Sequence, residues 1–319
     1  MAAHKYGNSR TDDLWNAIEA AGAKGLTAIA HDFTGQPGIP LIRMTGSQCK
    51  AGANLISVTQ GEFSRDRRAS IDGEGRRWQV PMLVRTIGGD EQRVVVRDGK
   101  ASVKVDHCGP TILNGGQLGY FRTLYTPQAL AALRSDFAKI QPIDQLGLLS
   151  DNFALSIAGY QPMDAALGLL AATPADANPY VLMEAASRYA QLYRVFEGDA
   201  ATQAAIAARG AAALRPALNR LGFDPKDSDP ALDAVLRADV IRALGMMGDP
   251  AVLGEARRRF ARLDSDPRAL DGPAKGLWLD IVATNAGAAG WDKLRRLAQA
   301  SKSAVERSTL YTLLGAAKD

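Results

Sequence analysis

The sequence predicts a multidomain chain in two parts: an all-β region built as an antiparallel β-sandwich, then an all-α region built as a HEAT-like helical array. Three observations carry this reading. Before Thr126, six β-type runs follow one another with turn signals between them. After Thr126 the chain turns Ala- and Leu-rich, with apolar residues three and four apart. Within that second part a polar residue followed by proline recurs where helices would begin.

The β-type runs are Leu41-Ile42-Arg43-Met44, Leu55 to Thr59, Trp78 to Val84, Arg93 to Val96, Ser102 to Val105 and Tyr120 to Tyr125. Gly88-Gly89-Asp90, Asp98-Gly99 and Asn114-Gly115-Gly116 separate several of them. The clearest single hairpin is Val94 to Val103, because Asp98-Gly99 supplies the positive φ angles of a tight turn.

Helix starts are expected at Thr126-Pro127, Asn178-Pro179, Asp229-Pro230 and Asp249-Pro250. Leu146, Leu149 and Phe153 form one apolar stripe, Leu236, Val240 and Leu244 another, and Ala256, Phe260 and Leu263 a third. The last two starts lie about 20 residues apart, which implies a helix pair of roughly 40 residues, as in HEAT-type repeats. Short connections make consecutive helices antiparallel neighbours. An earlier helix begins near Thr11, which can cap it, and presents Leu14, Ile18 and Ala21 on one face.

Composition excludes several classes. With 46% hydrophobic and 23% charged residues the chain is neither disordered nor a membrane span, and no apolar run nears the length needed to cross a bilayer. The net charge of +4 is mild, and its basic spots (Arg65/Arg67/Arg68, Arg76-Arg77 and Arg257-Arg258-Arg259) form no stripe with interleaved aromatics. Solvated surface, with no nucleic-acid partner, is the expected reading. No signal peptide precedes Tyr6, so a cytoplasmic location and two reduced thiols at Cys49 and Cys108 are expected, although a disulfide between them stays open.

The search for chemistry finds no site. His4, His31 and His107 show no helical pairing, H-E-x-x-H is absent, and His107-Cys108 lacks companions for a metal. G-x-S-x-G and phosphate loops are missing. Asp144 and Asp151, like Asp12 and Asp13, are read as capping or surface carboxylates. Catalytic, cofactor-binding and metal-binding residues are all expected to be none.

Several segments taken in order resemble gluzincin zinc aminopeptidases of the alanyl and puromycin-sensitive type. Thr34, Gln36, Gly38 and Pro40 match W-T-x-Q-x-G-[FY]-P, with Phe33 in place of the tryptophan. Gln60 and Phe63 are similar to the family's Q-x-x-F, and Trp78 and Pro81 to its W-x-[IV]-P. Asn114, then Gly119, Arg122 and Tyr125, resemble the segment that closes its sandwich. Thr126 departs from a common aspartate and Gln145 from a common arginine.

The resemblance implies three parts: 1–32 as the last helices of a truncated catalytic domain, 33–125 as the sandwich, and 126–319 as the helical domain, itself ending early. It implies zinc in the parent enzyme only, with the family's metal and catalytic motifs upstream of Asn8. The partners it implies are the catalytic domain of the same polypeptide and peptide substrates, with the helical domain covering the active site. The signature residues are expected to be structural. On this reading Leu14, Trp15 and Ile18 should be exposed for want of a partner. The alternative is a freestanding HEAT-like module that binds a peptide or protein.

Overall fold

A computed structural model describes residues 5–67, 75–266 and 268–317. His4, Arg68 and the terminal Lys318-Asp319 lie outside the described residues. Two compact units divide the chain, Met1–Ala172 and Thr173–Asp319.

The first unit opens with helices α1 (Thr11–Ala20) and α2 (Leu26–Gly35), which pack on each other. Thr11 is the first helical residue and caps nothing; the backbone N–H of Arg10 instead donates to the Asp13 carboxylate at 2.7 Å. The cap therefore comes from an acid inside the first turn, where the helix dipole also favours it. No residue of α1 is buried: Leu14 is 54% exposed, and Trp15 and Ile18 are half-buried.

Seven strands follow among the described residues: β1 (Ile39–Lys50), β2 (Ala53–Phe63), β3 (Val80–Thr86), β4 (Glu91–Val96), β5 (Lys100–Val105), β6 (Thr111–Ile112) and β7 (Arg122–Leu124). They form a four-stranded sheet ordered β5-β2-β1-β7 and a three-stranded sheet ordered β4-β3-β6. Alternating burial along β2, with Ile56 and Val58 inward between less buried neighbours, is the period of two that a half-buried strand requires.

Three expectations are corrected here. The long hairpin is β1–β2, paired from Ile39↔Phe63 to Lys50↔Ala53 around Ala51-Gly52, whose φ angles of 51° and 80° suit a two-residue turn. Asp98-Gly99 does turn, at φ 52° and 76°, but β4 and β5 belong to different sheets and share only the Arg97↔Lys100 bridge. Turn chemistry selects the bend; the wider hydrophobic pattern selects each strand's ladder. Strand β7 pairs parallel to β1, so the larger sheet is mixed and not purely antiparallel. The chain reaches β7 from β6 in the other sheet, and arrives running the same way as β1.

The two cysteines are joined, against the expectation of reduced thiols. Cys49 pairs with Asn54 in the β1–β2 ladder, and Asn54 pairs on its other side with Val105 of β5. Cys108 lies just beyond β5, and the two Cα atoms are 5.4 Å apart, within bonding geometry. A separation of 59 residues in sequence hides this proximity.

Helices α3 (Pro127–Ser135), α4 (Pro142–Ile157) and α5 (Met163–Ala171) complete the first unit. Thr126 caps α3 through its hydroxyl, which accepts from Ala129 N at 3.2 Å.

The second unit runs α6 (Pro179–Val195), α7 (Ala200–Leu221), α8 (Ala231–Met246), α9 (Pro250–Arg262), α10 (Lys275–Thr284), α11 (Ala288–Ala300) and α12 (Ala304–Leu314). Successive helices pack, and so do alternate ones: α6 on α8, α8 on α10 and α10 on α12. The core contains Leu236, Val240 and Leu244 from α8 with Trp278 and Ile281 from α10. Caps at Asn178 and Asp249 form as expected. Asp229 does not cap: α8 starts one residue later than the motif suggests, and Asp229 binds Lys226 N and the Arg237 guanidinium.

Asp249 gives the second unit a sharp test. Its buried carboxylate accepts from Ala251 N at 3.0 Å and Val252 N at 3.2 Å, and also from Arg215 Nε at 2.7 Å. Asp249→Ala should cost about 1–2 kcal/mol in urea unfolding. Asp249→Asn should recover most of that, since it keeps a capping oxygen and Arg215 is half in solvent. Equal losses for both variants would show that the ion pair, not the cap, matters.

Candidate functional site

The described residues hold no group of three or more His, Cys, Asp or Glu side chains that could bind a metal ion. Among the described residues, the acids and histidines thus do not fit a zinc centre. Cys108 is taken up in the disulfide, and His31 Nε2 meets Asp12 Oδ1 at 2.6 Å on the exposed side of α2. The basic spots are also largely occupied. Arg67 and Arg76 both reach the buried Glu62, Arg77 donates to the Gln60 carbonyl, and Arg258 and Arg259 pair with Glu255.

What the first unit does contain is a set of polar clasps, and the signature residues build them. Gln60, buried on β2, accepts from Trp78 N at 3.2 Å and donates to Arg76 O at 3.1 Å. Its amide stands in for a strand neighbour and holds residues 76–78, which have no ladder of their own, against the sheet. Gln36 donates to Arg77 O at 2.7 Å from the other side. Gly38 passes so close to the Trp78 ring that a Cβ there would lie 3.1 Å from it, and its φ of 120° excludes most side chains. Trp78 itself is buried and fills this corner.

The two prolines sit where a missing N–H costs least. Pro40 pairs with Glu62 just before the β7 ladder begins at Leu41, and Pro81 pairs with Val95 well short of the β6 ladder at Arg85. Each therefore has a strand on one side only at its own position. Asn114 closes the loop that follows β6: its side chain accepts from Gly119 N at 2.8 Å and donates to Gly119 O at 2.9 Å. Tyr125 accepts from Leu113 N at 3.0 Å, and burial pushes its phenol well above the ordinary tyrosine range. The Phe63 ring centroid lies 5.5 Å from that of Tyr160, and the Arg122 guanidinium lies over the Phe63 ring at 5.7 Å.

Helix α4 supplies the acids that complete these clasps. Asp151 accepts from Arg122 Nη1 at 2.7 Å, Thr123 N at 2.9 Å and Thr123 Oγ1 at 2.8 Å. Asp144 accepts from Gly116 N at 2.7 Å and Arg85 Nη1 at 3.1 Å, while Arg85 also pairs with Glu91. Both acids are buried, so the expectation of capping or surface carboxylates is overturned. Burial raises both carboxyls above the usual range, more than their arginines lower them.

A signal for this was present in the sequence. Asp144, Leu148, Asp151 and Leu155 are spaced four, three and four apart, which puts both acids on the face that buries Leu148 and Leu155. Gln145, also buried, donates to Phe137 O at 2.7 Å. With their oxygens engaged by guanidinium and backbone donors, these carboxylates tie loops to a helix and offer no base or nucleophile.

Residues 111–319 match the family described as the ERAP1-like C-terminal domain. That span begins at β6 and takes in α3 to α12.

The chain belongs to the ERAP1-like C-terminal domain family.

Aminopeptidases are among its relatives. Aminopeptidase M1 of Arabidopsis thaliana is 29% identical over 282 residues, 81% of this chain and 30% of the relative. Puromycin-sensitive aminopeptidase of Caenorhabditis elegans is 24% identical over 331 residues, 97% of this chain and 33% of the relative. Tricorn protease-interacting factor F2 of Thermoplasma acidophilum is 26% identical over 264 residues, 83% and 31%. The chain thus spans about a third of the length of these relatives. Within the family region, Asn114 and Gly119 bond each other across their loop, Tyr125 accepts from Leu113 N and Arg122 reaches Asp151 on α4; Gln36 to Pro81 lie ahead of that region. No helix among the described residues is long and apolar enough to cross a membrane.

Proposed function

We propose that this chain is the non-catalytic C-terminal part of a zinc-dependent aminopeptidase that removes N-terminal residues from peptides. The observation that carries the reading is the family match over 111–319 in a chain that aligns with only a third of each aminopeptidase. The apolar face of α1, where Leu14 is exposed and Trp15 and Ile18 are only half-buried, agrees with a missing neighbour. In this reading residues 1–32 complete the catalytic domain, 33–125 form a β-sandwich and 126–319 form a HEAT-like array. The α6–α8–α10–α12 packing supports the last of these.

The catalytic domain of the same polypeptide holds the zinc and the chemistry. The helical region covers that site and limits which peptides enter. The signature residues, from Gln36 to Tyr125, are structural, a reading supported by the loop-closing hydrogen bonds of Gln36, Gln60 and Asn114. The pure chain is expected to release no arylamine from aminoacyl-arylamides, with or without added zinc. Zinc-dependent turnover by this chain alone would overturn the proposal.

A further inference from the structure

The Cys49–Cys108 bond lies at the rim of the first unit, where residues 47–52 and 106–109 are all exposed. It ties the tip of the β1–β2 hairpin to the segment between β5 and β6, by which the chain leaves the larger sheet and enters the smaller one. That segment is lightly held. Strand β6 has two residues and pairs with β3 at Arg85↔Ile112 and Thr86↔Thr111. Pro110 O accepts from Ile87 N at 2.9 Å, and Gly109 O accepts from the Thr111 hydroxyl at 3.1 Å.

A second connection crosses the same gap without sulfur. Cys49 stands opposite Asn54 in the β1–β2 ladder, and the Asn54 side chain starts a run of hydrogen bonds between the sheets. Ser47 Oγ donates to Asn54 Oδ1 at 3.0 Å, Asn54 Nδ2 donates to Thr111 Oγ1 at 3.4 Å, and the Thr111 and Thr86 hydroxyls meet at 3.2 Å. Asn54, Thr86 and Thr111 are all buried. Separating the sheets would strand these polar groups away from water, so the run keeps β6 in register when the sulfur link is open. The bond is thus placed where it can break without loss of the fold.

We infer that Cys49–Cys108 is a thiol-exchange site, opened and closed on the folded chain by a dithiol, and that its state sets how firmly residues 106–112 are held. A thiolate of the dithiol attacks one sulfur of the exposed pair. The S–S bond breaks, and its electron pair leaves on the other cysteine as a thiolate that takes up a proton. The second thiol of the reductant then attacks the mixed disulfide, frees the first cysteine and leaves as a cyclic disulfide. Two electrons and two protons have then passed to the pair, and an oxidised dithiol reverses each step. A monothiol does not carry this through. The β1–β2 and β2–β5 registers keep the two cysteines together, with Cα atoms 5.4 Å apart, so the freed cysteine expels it. Opening releases the sulfur tie on residues 106–110, which lead through β6 into the Asn114 loop and the Gly116 N–H that binds Asp144 on α4. The inference concerns the first unit and does not rest on the role proposed for the whole chain.

The test is to treat the oxidised full chain with dithiothreitol in the absence of denaturant, trap thiols with N-ethylmaleimide and count them by mass. Both cysteines should be labelled at a rate that rises about ten-fold for each ten-fold rise in dithiothreitol, with far-UV circular dichroism unchanged. Glutathione at the same thiol concentration should open the bond roughly ten-fold less, because re-attack within the chain has the higher effective concentration. An aspartate-specific protease should cut before Asp106 about ten-fold faster in the reduced chain, and other aspartate sites should not follow. A Cys49→Ser/Cys108→Ser variant should be cut like the reduced chain whether or not dithiothreitol is present. If that variant fails to fold, reduced and alkylated wild type decides. A labelling rate that levels off with dithiothreitol, equal opening by glutathione, or loss of circular dichroism on reduction would overturn the inference. So would cutting before Asp106 that stays unchanged or that rises equally at every aspartate.

Discussion

Asp151→Ala should destabilise the first unit by about 3–5 kcal/mol, the range for removing one partner of a buried ion pair. The loss is large because one side chain serves three donors. Arg122, Thr123 N and Thr123 Oγ1 all lose their acceptor together, and Thr123 is itself buried. Urea unfolding followed by tryptophan fluorescence measures it, and a change below 1 kcal/mol would sink the account of α4 as the brace of this unit.

The same residue predicts a pH dependence of definite sign. Burial raises the Asp151 carboxyl in the folded state above its unfolded value, so the folded chain holds that proton more tightly. Its contribution to stability is therefore full below the unfolded pKa, near 4, and is lost as pH rises through the folded pKa. Asp144 has the same sign. From pH 4 upward, wild type should lose Tm relative to Asp151→Asn until Asp151 is fully ionised. A relative gain by wild type over that window would contradict the burial argument.

Reducing the Cys49–Cys108 bond should cost about 2–4 kcal/mol. The bond closes a long loop, 59 residues apart in sequence, so it removes much freedom from the unfolded chain. Thiol titration of the unfolded, unreduced protein should read no free thiol, and two after reduction. Two thiols before reduction would show that the pair is not bonded in the isolated protein, and Tm should then be indifferent to reductant.

These predictions fall on residues whose partners the linear pattern hid. Asp144 and Asp151 looked like surface acids because carboxylates usually are, although their helical spacing set them on the buried face with Leu148 and Leu155. Cys49 and Cys108 looked unrelated because nothing local brings them together; the registers of β1 on β2 and β2 on β5 do so. Asp98-Gly99 shows the same limit from the other side. Its positive φ angles were legible from residue type, but its flanking strands went to different sheets.

The sequence by itself determined the order of a β region and then a helical one, and the helix starts at Thr126, Asn178 and Asp249. Those features depend on side-chain periodicity, φ preference and capping, all of which act within a few residues. Only the tertiary structure decided the long β1–β2 hairpin around Ala51-Gly52, the parallel seat of β7, the disulfide, and which arginines meet Asp144 and Asp151. Each of those depends on contacts between residues far apart in the chain. Their energy comes from register, desolvation and partner geometry, which local pattern does not encode.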